Sequence, residues 1–197
     1  MCEDSKKINR KPPTEEQLLR AATQHLKFEV FCLLDNLQVL GNTRVAHKNI
    51  GVFFDFKMDK ARGINHPVSY HDMLIHTRVL GDFLKCSSSC KLSIHREDIE
   101  AGDYIPDWEG LDTIDESDRR IINKAFAHLS RTRATMEVMS LSKRTEIAKN
   151  VISGIKEFTG KACQYSEQYA EWFGDLNIKL NSIELPSKPW HFGESES

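Results

Sequence analysis

Seven apolar residues between Thr14 and Gly41, namely Leu18, Ala22, Leu26, Val30, Leu33, Leu37 and Leu40, recur at intervals of three and four. Only an α-helix gathers positions so spaced onto one face. No proline or glycine interrupts the run. Thr14 stands at its head, with Gln17 three residues on to complete a capping box, and Gly41-Asn42 is a plausible stop. A helix with one apolar stripe has to bury that stripe against another element, and the rest of the chain supplies further helices of the same kind.

After His66-Pro67, where proline suits a first helical turn, Tyr70, Met73, Leu74, Thr77, Leu80 and Leu84 form a second apolar face to about Lys85. Asp115-Glu116-Ser117-Asp118 is an acidic helix start that complements the macrodipole, and it leads into Ile121, Ile122, Ala125, Phe126 and Leu129. Ser140 or Ser142 opens the last helix. There Ile147, Val151, Ile155, Phe158, Ala162, Tyr165, Tyr169 and Trp172 keep helical spacing, which predicts one helix of about seven turns. Leu185-Pro186-Ser187-Lys188-Pro189 ends regular structure.

Two segments read differently. In 43–65, Val52-Phe53-Phe54 is a short apolar run that suits a groove, a short strand or a short helix. Residues 86–114 are a long connection, for which Ile99, Tyr104, Ile105 and Trp108 provide docking points. The expected fold is all-α: an antiparallel helical bundle of four main helices with one long central loop. It occupies residues 14–180 as a single domain, between polar tails at 1–13 and 181–197.

The 197 residues carry a formal charge of -2, so no global positive field draws the chain to nucleic acid or an anionic membrane, and any basic site is local. No run approaches a membrane span, and the N-terminal residues have no apolar core of a secretory signal, which predicts a cytoplasmic protein with no membrane contact. Five cysteines do not make a disulfide framework. Cys86, Cys90 and His95 fall short of a tetrahedral metal set, and His66, His71 and His76 repeat every five residues rather than four, so neither a metal nor another cofactor is expected.

Three groups carry chemical potential. Arg120, Lys124, His128 and Arg131 lie along one helical stripe, a combination that suits phosphate: guanidinium grips it and imidazole moves a proton near neutral pH. The plain alternative is a solvated helix face. His76, Arg78 and Asp82 form the second group. Arg78 and Asp82 are spaced to pair, and between two helices such a pair would fix register or orient His128. The third is the acidic segment Glu97 to Tyr104, better suited to a helix cap or a salt-bridge partner than to a cation. Phosphate-binding and nucleophile-elbow motifs are absent from the sequence.

Asn123-Lys124-Ala125-Phe126-Ala127-His128-Leu129-Ser130 resembles the late-helix signature R-N-x4-H of HEPN-type helical proteins. Leu74 to Leu84 and Glu97 to Tyr104 are similar, in the same order, to blocks of small HEPN-like proteins related to abortive-infection components. The resemblance spans roughly residues 66–170. It implies an antiparallel helical bundle, commonly dimeric. In RNA-cleaving members the Arg and His of the motif meet their symmetry mates and cut RNA without metal. Asn123 and His128 map onto the motif, but Ile122 stands at the arginine's position, with Arg119 and Arg120 slightly upstream. A cation that would stabilise charge developing on phosphate is thereby displaced.

The expected function is accordingly a homodimeric interaction module that binds RNA, a nucleotide or a protein partner in a defence or stress setting. One alternative is a metal-independent endoribonuclease, with His128 as general acid or base, Asn123 orienting it or holding a phosphate, and Arg120 or Arg131 stabilising charge. Lys124, His76, Arg78 and Asp82 would then contact phosphate or RNA. The other is a structural protein whose His128, Arg78 and Asp82 form a buried polar network.

Overall fold

The computed structural model describes residues 11–41, 67–85, 98–127 and 139–185, with side chains for 11–37, 73–85, 98–123, 139–140 and 142–185. Within these residues the chain is helical and contains no strand. Its elements are α1 (Glu15–Arg20), a π-helical segment (Ala21–Leu26), α2 (Lys27–Gly41), α3 (Pro67–Leu84), a 3-10 turn (Ala101–Asp103), α4 (Glu116–Ala127), α5 (Leu141–Tyr165) and α6 (Glu167–Ser182). Val52-Phe53-Phe54 and Cys86, Cys90 and His95 lie outside the described residues.

α1, the π segment and α2 run on as one rod. The Thr14 hydroxyl accepts from the Gln17 amide, and the Gln17 side chain accepts from the Thr14 amide at 2.8 Å, the reciprocal cap expected from the sequence. The apolar stripe is buried from Leu18 through Leu37. The π register was not legible in that stripe. A π turn shifts the amide-to-carbonyl ladder by one residue and leaves carbonyls under-bonded. Two hydroxyls serve those at its entry: Tyr104 donates to the Leu18 carbonyl and Thr23 to the Leu19 carbonyl, each at 2.8 Å.

α3 is the central element, packed on α2, α5 and α4. Met73, Leu74, Thr77, Leu80 and Leu84 are all buried along it, as their spacing predicts. It approaches α5 and the segment after the 3-10 turn closely: a Cβ added at Gly81 would lie 2.5 Å from Ile114, and one at Gly154 2.7 Å from Leu84. The docking predicted for the long connection is present. Tyr104, Ile105 and Trp108 are buried, and Trp108 Nε1 and the Leu111 amide both donate to the Leu84 carbonyl, at 2.8 and 2.9 Å. These bonds satisfy a carbonyl at the end of α3. Gly110, with φ at 83°, turns the chain between them, a conformation an L side chain rarely adopts. The acidic segment caps the 3-10 turn, the Glu100 amide donating to Asp103 Oδ2 at 2.8 Å.

The single seven-turn helix expected at the C-terminal end is instead two helices, so the described part has five helical rods rather than four. Ser166 takes an extended conformation, with φ at -154° and ψ at 154°, and its hydroxyl accepts from the Tyr169 amide at 3.1 Å. Serine at an N-cap ends one helix and starts the next at little cost. The apolar spacing runs through the break, so periodicity alone conceals it. α6 then folds back onto α5, the most extensive helix pairing among those described. Phe158 on α5 lies edge-on to Phe83, Trp108 and Phe173 at centroid distances of 4.9, 5.5 and 5.4 Å. Ile183 and Leu185, in the stretch read as a tail, also pack against this core.

Candidate functional site

α4 begins at Glu116, where Asp115 Oδ1 accepts from the Asp118 amide and the Ser117 hydroxyl, both at 2.7 Å. Those two bonds stabilise the ionised form and hold the Asp115 carboxyl below its ordinary range. Asp118, one turn in, pairs with Lys143 of α5 at 3.2 Å. Burial pushes its carboxyl up, and the Lys143 ammonium opposes that shift without cancelling it. The first turn of α4 is thus held against α5, which fixes the bearing of every later residue on the helix.

That bearing decides which arginine matters. Arg120 is exposed, whereas Arg119 is buried, with only 6% of its surface accessible. Its Nη1 contacts Asp82 Oδ1 on α3, while Arg78 Nε stands 3.5 Å from the other oxygen, Oδ2. One carboxylate therefore sits between two guanidinium groups, and the arrangement joins α3 to α4. Arg78 and Asp82 are roughly half exposed, so the assembly opens to solvent on the α3 side and closes toward α4. Burial, and the charge of Arg78 beside it, lower the pKa of Arg119, but a guanidinium stays charged.

Two polar atoms in this region have no partner. Arg119 Nε and Asn123 Oδ1 are both buried and make no hydrogen bond. They belong to residues one turn apart on α4 and so lie on one side of it. A buried donor and a buried acceptor left unmade are costly, and native structures rarely keep them without a reason.

Of the residues singled out from sequence, the structure brings Arg78 and Asp82 together with Arg119, and sets Asn123 one turn beyond Arg119 on α4. It does not bring His76, although His76 is on α3 with Arg78 and Asp82. His76 Nδ1 is 2.6 Å from Glu29 Oε2 on α2, and its ring meets Phe28 edge-on. Arg120 is exposed and stands away from the Asp82 contact that Arg119 makes. The Lys124 side chain, His128 and Arg131 lie outside the described residues. Ile122 is fully buried, so the motif arginine's position faces the core. Arg119 precedes Ile122 by three residues and Asn123 by four, which places it on their side of the helix. That spacing is the signal in the sequence for Arg119, beside the equally regular stripe through Arg120.

A shallow groove between α5 and α6, lined by Ser153, Lys156, Lys161, Gln164, Asn177 and Asn181, is open to solvent and holds no comparably buried charge. No helix among the described residues is long and apolar enough to cross a membrane. Comparison of the chain with protein-family models, with curated proteins and with solved structures gives no match.

Proposed function

We propose that this chain is a HEPN-like helical bundle, antiparallel and homodimeric, that binds RNA or a nucleotide at the α3–α4 face and does not cleave it. The observation that carries the reading is the buried Arg119 with an unused Nε, beside the unused Oδ1 of Asn123 and the half-exposed Arg78. Arginine donors at a partly buried site suit a phosphate oxygen, and an acceptor one turn away suits a ribose hydroxyl. Cleavage is not part of the reading because the motif arginine's position is the core residue Ile122. Dimerisation has its support in Ile75 and Val79, apolar residues one turn apart on α3 that are more than 40% exposed.

The test is binding of fluorescent single-stranded RNA and of a nucleoside triphosphate in EDTA, with Arg78→Ala beside the wild type. Saturable binding that Arg78→Ala weakens supports the proposal. Metal-free cleavage of the RNA, abolished in His128→Ala, would replace it with the nuclease reading. Light scattering, repeated with Val79→Asp, decides the dimer.

A second reading has its own observation. Asp82 already engages both arginines across two helices, which is what a register-fixing staple does. In that case neither RNA nor nucleotide binds, and Asp82→Ala acts on stability alone.

A further inference from the structure

Asp82 offers its two oxygens to two different guanidinium groups, Oδ1 to Arg119 and Oδ2 to Arg78. Two arginines on separate oxygens is also how proteins hold a phosphate. The carboxylate is nearly half exposed, at 46%, while the Arg119 side chain behind it is only 8% exposed. A buried cation is thus reached through a solvent-facing anion. Arg119 Nε, on the same guanidinium, has no partner at all. A pair built only for stability would be expected to satisfy that donor, since an unmade bond on a buried charged group is expensive. The buried Oδ1 of Asn123 is likewise open.

We propose that Asp82 is an internal stand-in for phosphate: it occupies the Arg78–Arg119 pair in the free protein, and a phosphate of the bound RNA or nucleotide displaces it. The inference rests on the binding reading above and adds an autoinhibitory contact to it. The displaced carboxylate has a route outward, because its outer face already meets water. Arg119 gains a bond at Nε that the carboxylate does not supply. Affinity is held down by the same residue that holds Arg119 in place without ligand. Arg78 takes part in both states, first on Asp82 and then on the ligand.

The experiment measures binding of fluorescein-labelled oligouridylate by anisotropy, in EDTA and over a range of salt, for wild type, Asp82→Asn and Arg78→Gln. Asparagine keeps an oxygen for Arg119 but no longer competes as an anion. Asp82→Asn is expected to bind roughly tenfold more tightly, the scale of one unit charge beside partly buried arginines. The slope of log affinity against log salt should be steeper for Asp82→Asn, because the site that meets the same phosphate carries one more net positive charge. Arg78→Gln should bind more weakly than either. Equal affinities for wild type and Asp82→Asn, with Arg78→Gln weaker, would overturn the stand-in and leave the binding site intact. No binding by any of the three would overturn the site and the stand-in together. Should Asp82→Asn fail to fold, the wild type decides: the Arg119 Nε–Hε resonance is expected to shift as oligouridylate is added, and saturation without a shift overturns the proposal.

Discussion

Asp82 and Phe83 follow one another on α3 and face different surroundings. The Phe83 ring lies 4.9 Å from Phe158 and 6.2 Å from Tyr104, inside a group of edge-on aromatic rings contributed by α3, the docked connection, α5 and α6. Two buried polar ends of that group are engaged: the Tyr104 hydroxyl on the Leu18 carbonyl, Trp108 Nε1 on the Leu84 carbonyl. Asp82, one residue earlier, holds Arg78 and Arg119 beside two buried polar atoms with no partner. In the first region the buried hydroxyl and indole are both bonded, and its rings hold four elements together. The second is left incomplete. Under the binding proposal the two regions divide the tasks of holding the fold and accepting a ligand, since a site that completes its own bonds has nothing left to offer.

The sharpest way to break the comparison is to remove the centre of the first region. Phe158→Ala is expected to lower stability by about 3–5 kcal/mol, read by urea denaturation, because it empties a site ringed by aromatic neighbours. A loss below about 1 kcal/mol would show that the aromatic group is not what fixes α5 and α6.

The second region should respond differently to its two halves. Asp82→Ala leaves the buried Arg119 without its carboxylate and is expected to cost about 2 kcal/mol. Arg119→Met removes the buried charge itself, keeps the volume apolar, and should leave thermal stability unchanged or slightly higher while abolishing RNA binding. Equal destabilisation by both, with no effect on binding, would make the region a staple like the first.

Gly154→Ala tests the contact between α3 and α5 that separates the regions. The new methyl would meet Leu84 at 2.7 Å and Thr113 at 3.0 Å, and a loss of about 1–3 kcal/mol is expected in the same denaturation assay.

The smallest effect concerns acid. Asp115 has its folded-state pKa depressed below the ordinary 3.8 by the Asp118 amide and the Ser117 hydroxyl. A depressed carboxylate contributes stability that is present above its unfolded value and is lost as pH falls through the folded one. Asp115→Ala should therefore lower the melting temperature slightly near neutrality, and the difference from wild type should shrink as pH falls below the ordinary carboxylate range. A difference that does not shrink on acidification would show that the carboxylate's charge is not what caps α4.

Much of the helical layout was legible in the sequence because it depends on local chemistry. The Thr14–Gln17 box, the serine at 140, the acidic start of α4 and the buried face of α3 each follow from residues within a turn or two of one another. The docking of Tyr104 and Trp108 was legible as well, since a long connection carrying large apolar groups has to bury them. What misled the reading was also local: the apolar period runs unbroken across Ser166, and nothing in the period itself marks one serine as a cap.

The site was half legible. Arg78 and Asp82 announced themselves by spacing, and Asn123 by the motif. Arg119 did not, because its neighbour Arg120 continues an equally regular stripe, and sequence gives no reference for which side of an amphipathic helix is turned inward at its polar margin. Tertiary packing supplied that reference: Lys143 on Asp118, and Ile122 in the core, rotate α4 so that Arg119 meets Asp82 and Arg120 meets water. The same packing sent His76 to Glu29. Periodicity determines that helices form and which stripe is apolar; only the contact between helices decides which charged residue is desolvated. A charge changes its chemistry when water leaves it, which makes the choice between Arg119 and Arg120 a tertiary one.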